Sequence, residues 1–389
     1  MHEAIKTIHE NADLLRAEAP KGDELGKLTD ATVQVLKQSN GVRMLQSKEY
    51  GGLEEHPTTF FEWVRAVAQY QPSAGWIAGV VGIHPWEVAL ADPKLQNEIY
   101  GQDADTWVAS PYAPIGRAKP VDGGFLFTGD WPYSTGTDFC DWVILGGIVT
   151  DAEGGVGNPP DMRHFVLPRG DYEIVEDSWN VMGLAGTGSK NVRMTDTFVP
   201  DHRVLSAVEV AEGLLTDRQP GKPLYAQSFG MLFSCAISSA TLGIARGALD
   251  AYREYLLSRV SVLGVVGKVD PFQQEALAEA EADWATAVLV IDTWASRLYD
   301  KVADGSPVTQ ADRLQFRRDQ VRAMQNVLES VDKVYKLAGS SAIWTERPLE
   351  RYWRDLRAGA SHVCNVHDTV YTAWANFEFQ TGAPVVTFY

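Results

Sequence analysis

The sequence predicts an α+β, mainly helical protein in three successive units: an N-terminal α-helical domain over residues 1–106, a middle antiparallel β-barrel or sandwich over 107–207, and a C-terminal four-helix bundle over 208–389. Three observations carry this. Apolar residues recur at helical spacing in the first unit, and at Trp107 the composition turns to Gly, Thr, Val and aromatic residues in short alternating runs. Beyond Lys222, long apolar-faced helical stretches return and continue almost to the end.

In the first unit, Ile5, Ile8, Leu14 and Leu15, then Leu28, Val33, Val35 and Leu36, read as two amphipathic helices between Glu3 and Gln46. SKEYGG is a turn, and Thr58 to Gln71 is a helix that Thr58 or Thr59 caps, with Phe60, Phe61, Val64, Val67 and Tyr70 on one side. Ser73 to Leu90 (SAGWIAGVVGIHPWEVAL) is apolar and rich in small residues, with His84 the one group expected to titrate near neutrality. Pro85 predicts a helix boundary or kink at His84, which would hold the imidazole at a helix end facing a cavity. The plainer reading is a core histidine satisfied by a backbone carbonyl.

The middle unit contains TWVASPYAP, GGFLFTGDWPYS, DWVILGGIV, RHFVLPR, YEIVEDSW and KNVRMTDTFVP, with strand lengths and turn spacing that suit roughly six to eight strands. Asp151 to Pro160 reads as an exposed loop. Trp131 to Gly147, WPYSTGTDFCDWVILGG, reads as a hairpin: an aromatic run ending in Ser134, a polar turn through Thr135, Gly136, Thr137 and Asp138, and an apolar run from Trp142 to Leu145. Trp131, Tyr133, Ser134, Thr135 and Gly136 make a surface suited to a flat polar ring that stacks on one side and hydrogen-bonds along an edge, flavin foremost. The alternative is an ordinary hairpin whose aromatics fill a core. VMGLAGTGSKNV places Gly183, Gly186, Thr187, Gly188 and Ser189 in a second tight turn able to line a ligand; GxGxxG and a surrounding βαβ unit are both missing, so it is no dinucleotide fingerprint.

Glu209 to Lys222 is a polar linker. SFGMLFSCAISSATLGIARGALDAYREYLLSRV is the first long helix, GVVGKVD breaks it, and Pro271 starts a second. Thr309 to Ala338 is a charged third helix, SSAIWTERP a loop, and Leu349 to Phe377 the last helical stretch; together these form the bundle.

Composition narrows the function. No run of about 20 uncharged apolar residues is present to span a bilayer, mean hydropathy is −0.17, and MHEAIKTIHENADLLRAEA lacks the apolar core of a signal peptide. Cys140, Cys235 and Cys364 are an odd number without CxxC spacing, which points to a reducing cytoplasm and against a disulfide framework or a metal site. A net charge of −17 would repel nucleic acid and anionic membrane, so neither is an expected partner.

Helical third, β middle and helical bundle, in that order, resemble the acyl-CoA dehydrogenase fold. WVASPYAP, GDWPYSTGTDFCDWVILGG, MGLAGTGSKNV, the segment from Arg259 to Pro271 and Gln273, and RYWRDLRAGASHV together resemble the oxygenase components of two-component flavin-dependent monooxygenases, a group that includes 3-hydroxy-secoandrostene hydroxylase, para-hydroxyphenylacetate hydroxylase and indole-hydroxylating tailoring oxygenases. Such oxygenases take reduced FMN or FAD from a separate flavin reductase, bind O2 to form a C4a-hydroperoxyflavin, and deliver its distal oxygen to an electron-rich aromatic ring. The resemblance therefore implies a phenol- or indole-type substrate, a water-excluding site and a homo-oligomer, tetramer or dimer.

It also implies roles. Ser134 falls where a hydroxyl meets flavin N5, and Ser110 and His84 resemble positions that contact the substrate hydroxyl. His362, in AGASHVCN, stands about where an acyl-CoA dehydrogenase has its catalytic glutamate, so the carboxylate base for α-proton abstraction is missing; its plainer reading is a capping or core histidine. Arg259 resembles an arginine that reaches the flavin phosphate, often across a subunit interface, and Thr187 and Ser189 would lie near the isoalloxazine or the pocket mouth. Ala185 stands where relatives often have Arg, which hints at a more apolar ligand. A true acyl-CoA dehydrogenase, an amino-sugar N-oxygenase and a flavin-free binding scaffold are the alternatives.

Overall fold

The structure, a computed structural model, describes residues 1–261 and 264–382; residues 262–263, just before the predicted break GVVGKVD, and 383–389 of the third unit lie outside the described residues. The first unit holds α1 (Glu3–Glu10), α2 (Ala12–Leu25), α3 (Asp30–Ser39), α4 (Pro57–Tyr70), α5 (Pro72–Val88) and α6 (Pro93–Tyr100). The two helices expected before Gln46 are three. Asn11 separates the first pair, its side chain turning back to the Thr7 carbonyl, and Gly26 at φ +64° ends α2 in the left-handed region that an L side chain resists. His56, not a threonine, caps α4, because Pro57 supplies the first helical position with its φ already set.

The expected boundary at His84 is not there. α5 continues through Pro85, and all 17 of its residues are buried. A helix that is apolar all round is stable only inside a core, and packing on every side outweighs the hydrogen bond that proline removes. Small residues make that packing close: a Cβ on Gly75 would lie 2.2 Å from Ala68 of α4, and one on Gly79 would lie 3.2 Å from the Ala236 carbonyl.

The middle unit is one sheet of β1 (Val108–Ala109), β2 (Gly116–Val121), β3 (Gly124–Ser134), β4 (Trp142–Val149), β5 (Met162–Pro168), β6 (Glu173–Val175), β7 (Lys190–Pro200) and β8 (Val204–Ser206). Its order is β6-β7-β3-β2-β4-β5-β8, with β1 beside β4. Pairing is antiparallel except for β1–β4 and β2–β4. β3 and β4 are therefore not a hairpin. β2 lies between them, antiparallel to β3 and parallel to β4, and the Thr135–Asp141 connection crosses over it. β3 carries a register shift between Trp131 and Ser134. There Tyr133 takes φ +67° and points outward at 67% exposure, while Ser134 is wholly buried; a bulge of this kind re-aims a side chain.

After α7 (Ala207–Glu212) come α8 (Phe229–Ser258), α9 (Pro271–Ala303), α10 (Gln310–Ala338), α11 (Pro348–Ala360) and α12 (Asp368–Glu378). The last predicted stretch is thus two helices. Asn365 separates them, its side-chain amide donating to Gly359 O and Thr241 Oγ1, both at 3.1 Å. α8 is long and apolar enough to cross a bilayer by length and composition, but 94% of its most apolar window is buried inside the protein. A bidentate Arg65–Asp292 pair, 2.9 and 2.8 Å, ties α4 to α9.

Candidate functional site

α5 is the axis of the site. Ser73, Trp76, Ile77, Val81 and His84 face different neighbours in turn, and between them they meet the sheet, α8 and the α11–α12 turn. Ile77 and Val81 lie under Gly136, whose added Cβ would come within 3.3 Å of both; at φ +70° that residue has to be glycine or strained. They precede His84 by about 10 and about 5 Å of helix rise.

Two turns remote in sequence are joined over this stretch. The Gly136 amide donates to the Thr187 carbonyl at 3.1 Å. Thr135 Oγ1, Ser189 Oγ and Thr187 Oγ1 form a buried hydroxyl chain with steps of 2.9 and 2.8 Å, ending on the Leu184 carbonyl at 2.8 Å. Lys190 clamps the base of the turns between Asp138 and Glu176, at 2.7 and 2.6 Å. Leu184, at φ +57°, starts the second turn and donates its amide to Asp355 Oδ1 of α11 at 2.6 Å.

His84 is wholly buried. Its Nδ1 meets the Val108 carbonyl, which can only accept, so Nδ1 carries the proton and Nε2 accepts from the Ser110 hydroxyl at 2.7 Å. Burial, only partly offset by the Val108 carbonyl, lowers its pKa to about 4, so it is neutral with a fixed tautomer at pH 7. The plainer sequence reading of His84 holds, a core histidine satisfied by a backbone carbonyl; the helix end expected there is absent, and the other ring nitrogen forms a polar pair with Ser110.

His362 lies in the turn between α11 and α12. Its Nδ1 accepts from the Cys364 amide at 3.2 Å, which leaves the neutral ring's proton on Nε2. Burial and then the Arg317 guanidinium pull its pKa down to about 4. The ring meets Trp76 and Phe233 edge-on, each at 5.7 Å. Phe233 stacks on Phe229 at 5.3 Å, Phe229 meets Tyr112 at 4.9 Å, and Tyr112 stands edge-on to His84 at 5.7 Å. An arc of rings thus joins the two histidines.

The structure therefore groups His84 with Ser110, and Ser134, Thr135 and Gly136 with Thr187 and Ser189, along one helix. Trp131 belongs elsewhere: it is wholly buried in the sheet, packed on Phe127 at 5.1 Å with its Nε1 donating to Gly146 O at 2.9 Å. Tyr133 meets Trp179 on the outside at 6.0 Å. Arg259 caps the far end of α8 over the Tyr255 ring, about 39 Å of helix rise beyond Phe233, so within one chain it does not join the group. A cavity of about 650 Å³ bordered by Arg16, Tyr70, Tyr255, Arg347 and Tyr352 lies at that end and contains none of the grouped residues.

A flavin ring fits the residues present. Its edge of carbonyls and ring nitrogens needs donors in a dry setting, and Ser134 Oγ and Ser73 Oγ are buried hydroxyls with no protein partner. Ser73 borders the second turn, since a Cβ on Gly186 would lie 3.1 Å from it.

Sequence reasoning missed Tyr112, Glu87 and His164 at the His84 end, and Arg317, Gln320 and Asn365 under His362. Glu87 was findable: it is the only acid in α5 and sits one turn after His84. Arg317 gave no such signal, because it reads as one of several charges on α10.

Comparison with known proteins agrees with this fold. Residues 235–367 match the family model "Acyl-CoA dehydrogenase, C-terminal domain". A pigment production hydroxylase of Rhodococcus erythropolis is 42% identical over 96% of this chain and 95% of its own length. The flavin-dependent monooxygenase oxygenase subunit HsaA of Rhodococcus jostii is 36% identical over 95% of this chain and 96% of its own. The crystal structure of 3-HSA hydroxylase from Rhodococcus sp. RHA1 superposes with a TM-score of 0.92 at 34% identity, covering 100% of this chain and 98% of that one. With the fold and near full-length relatives in agreement, the chain belongs to the flavin-dependent monooxygenases of the acyl-CoA dehydrogenase fold, as an oxygenase component.

Proposed function

We propose that this oxygenase hydroxylates an aromatic guest bearing a phenolic hydroxyl or an indole-type N–H, using O2 and reduced FAD or FMN supplied by a separate flavin reductase. The observation that carries this is the neutral His84–Ser110 pair, 2.7 Å apart at one end of an arc of rings. It offers a hydroxyl and an imidazole edge to the polar atom of a flat guest whose faces meet apolar surface.

Bound reduced flavin supplies the two electrons by which O2 is divided between guest and water. Ser134 would hold the flavin edge at N5, with Thr135, Gly136, Thr187 and Ser189 around the ring and Arg259 of a second copy toward the phosphate, which supports a dimer or tetramer. His84 and Ser110 orient the guest's hydroxyl or N–H. His362 presents Nε2–H from the bundle side, and Trp76, Phe229 and Phe233 keep water out. Acyl-CoA oxidation is disfavoured because the carboxylates of α5 and α11, namely Glu87, Glu350 and Asp355, are committed to other partners. Three buried free thiols suit a reducing cytoplasm.

The test supplies chemically reduced FMN or FAD, ¹⁸O2 and a phenol or indole probe to the purified protein. One ¹⁸O atom is expected in the hydroxylated product. Label recovered only as hydrogen peroxide with every probe, under either flavin, refutes the proposal.

A further inference from the structure

Beside the His84 end of the ring arc lies a charge that hydroxylation of an aromatic ring does not by itself require. Glu87 is 1% exposed. Its Oε1 is 2.6 Å from His164 Nδ1 of β5, and its Oε2 accepts from the Tyr112 hydroxyl at 2.8 Å. A buried carboxylate is costly unless partnered. Burial works against its ionisation, but His164 and Tyr112 outweigh that and hold Glu87 below the usual carboxylate range.

Tyr112 is what this arrangement fixes. It is half-buried as a residue, and its hydroxyl is tied to a carboxylate that is almost wholly buried. The Tyr112 ring stands 5.7 Å from His84, 4.9 Å from Phe229 and 5.8 Å from Phe233. The backbone is held as well: the Gly146 amide donates to Pro111 O at 3.1 Å, and a Cβ on Gly146 would lie 2.1 Å from the Tyr112 carbonyl. Held at backbone and hydroxyl, the ring cannot swing aside. It shows a guest an apolar edge and leaves polar recognition to Ser110 and His84.

We propose, resting on the aromatic-guest reading above, that Tyr112 is a specificity-determining wall that sizes the ring accepted between His84 and Phe233, and that Glu87 and His164 are its positioning pair. Calorimetric titration of the full chain with phenol and with 2-naphthol tests this without requiring turnover. In Tyr112→Ala the phenol-to-naphthol affinity ratio shifts toward naphthol by about tenfold, the scale of such pocket discrimination. Tyr112→Phe and Glu87→Ala shift it about threefold, and Glu87→Gln, which keeps an acceptor for the Tyr112 hydroxyl, restores most of the wild-type ratio. A merely structural role lowers the melting temperature and leaves the ratio alone. An unchanged ratio in Tyr112→Ala, or in Tyr112→Phe should the alanine variant not fold, overturns the wall. Wild-type protein that binds neither probe overturns the aromatic-guest reading itself, which is a distinguishable result.

Discussion

Asp355 offers a measurement of how the second turn is held. Its carboxylate accepts the Leu184 amide at 2.6 Å, and burial, reinforced by Asp23, raises its pKa from 3.8 to about 7 against the opposing pull of that amide and of Arg354 and Arg351. Between those values the folded protein binds the proton and the unfolded chain does not, so stability falls as pH rises through the window. At about 1.4 kcal/mol per unit, roughly 4 kcal/mol is lost in all, about 3 kcal/mol of it between pH 5 and pH 8. Asp355→Asn keeps the carbonyl that accepts from Leu184 and removes the ionisation. Melting curves across that range are the assay. With an unfolding entropy of about 2.1 cal/mol/K per residue, the Tm advantage of the variant over wild type grows by about 4 °C from pH 5 to pH 8. Two parallel curves of Tm against pH would refute the reasoning, because they would mean that Asp355 ionises as freely in the folded protein as outside it.

Three further outcomes follow from the same geometry. Ser110→Ala leaves the buried Nε2 of His84 without its donor, costing about 1–3 kcal/mol of stability and loosening the guest, so less product forms per reduced flavin and more peroxide; unchanged coupling in that variant separates Ser110 from the guest. Arg317→Met removes the charge that helps to lower the His362 pKa, so any acid limb in the pH dependence of turnover moves to higher pH, and a limb that stays in place shows that His362 does not set it. Gly136→Ala forces an L side chain into φ +70° against Ile77 and Val81, at about 1–2 kcal/mol; lower Tm together with weaker reduced-flavin binding is expected, and unaltered flavin affinity releases that turn from the ring.

The order of helices, sheet and bundle was legible because hydrophobic period is a local property: Phe60, Phe61 and Val64 on one side of α4, or Val143 to Leu145 in β4, declare their element without reference to the rest. What failed was what depends on neighbours. Pro85 reads as a breaker, and only packing against α4 and α8 shows why the helix survives it. β2 lodges between β3 and β4, which no feature of the WPYSTGTDFCDWVILGG stretch announces. At the site, His84 and Ser110 were visible as chemistry-bearing side chains, but their 2.7 Å pairing needed the sheet docked on α5. Trp131, conspicuous in sequence, sits inside the sheet. Glu87, passed over in sequence, holds the wall beside His84 on the same helix.

Because α5 carries both the seat beneath Gly136 and the imidazole at His84, the function proposed above would have the spacing between cofactor edge and guest written in peptide geometry and not in the angle between two domains. Thermal drift of the rod carries both ends together, so their separation is preserved while everything around them breathes. The vulnerability is one of register: a single residue inserted between Val81 and His84 would advance the imidazole by about 1.5 Å and swing it about 100° around the rod, uncoupling the two ends while leaving each intact.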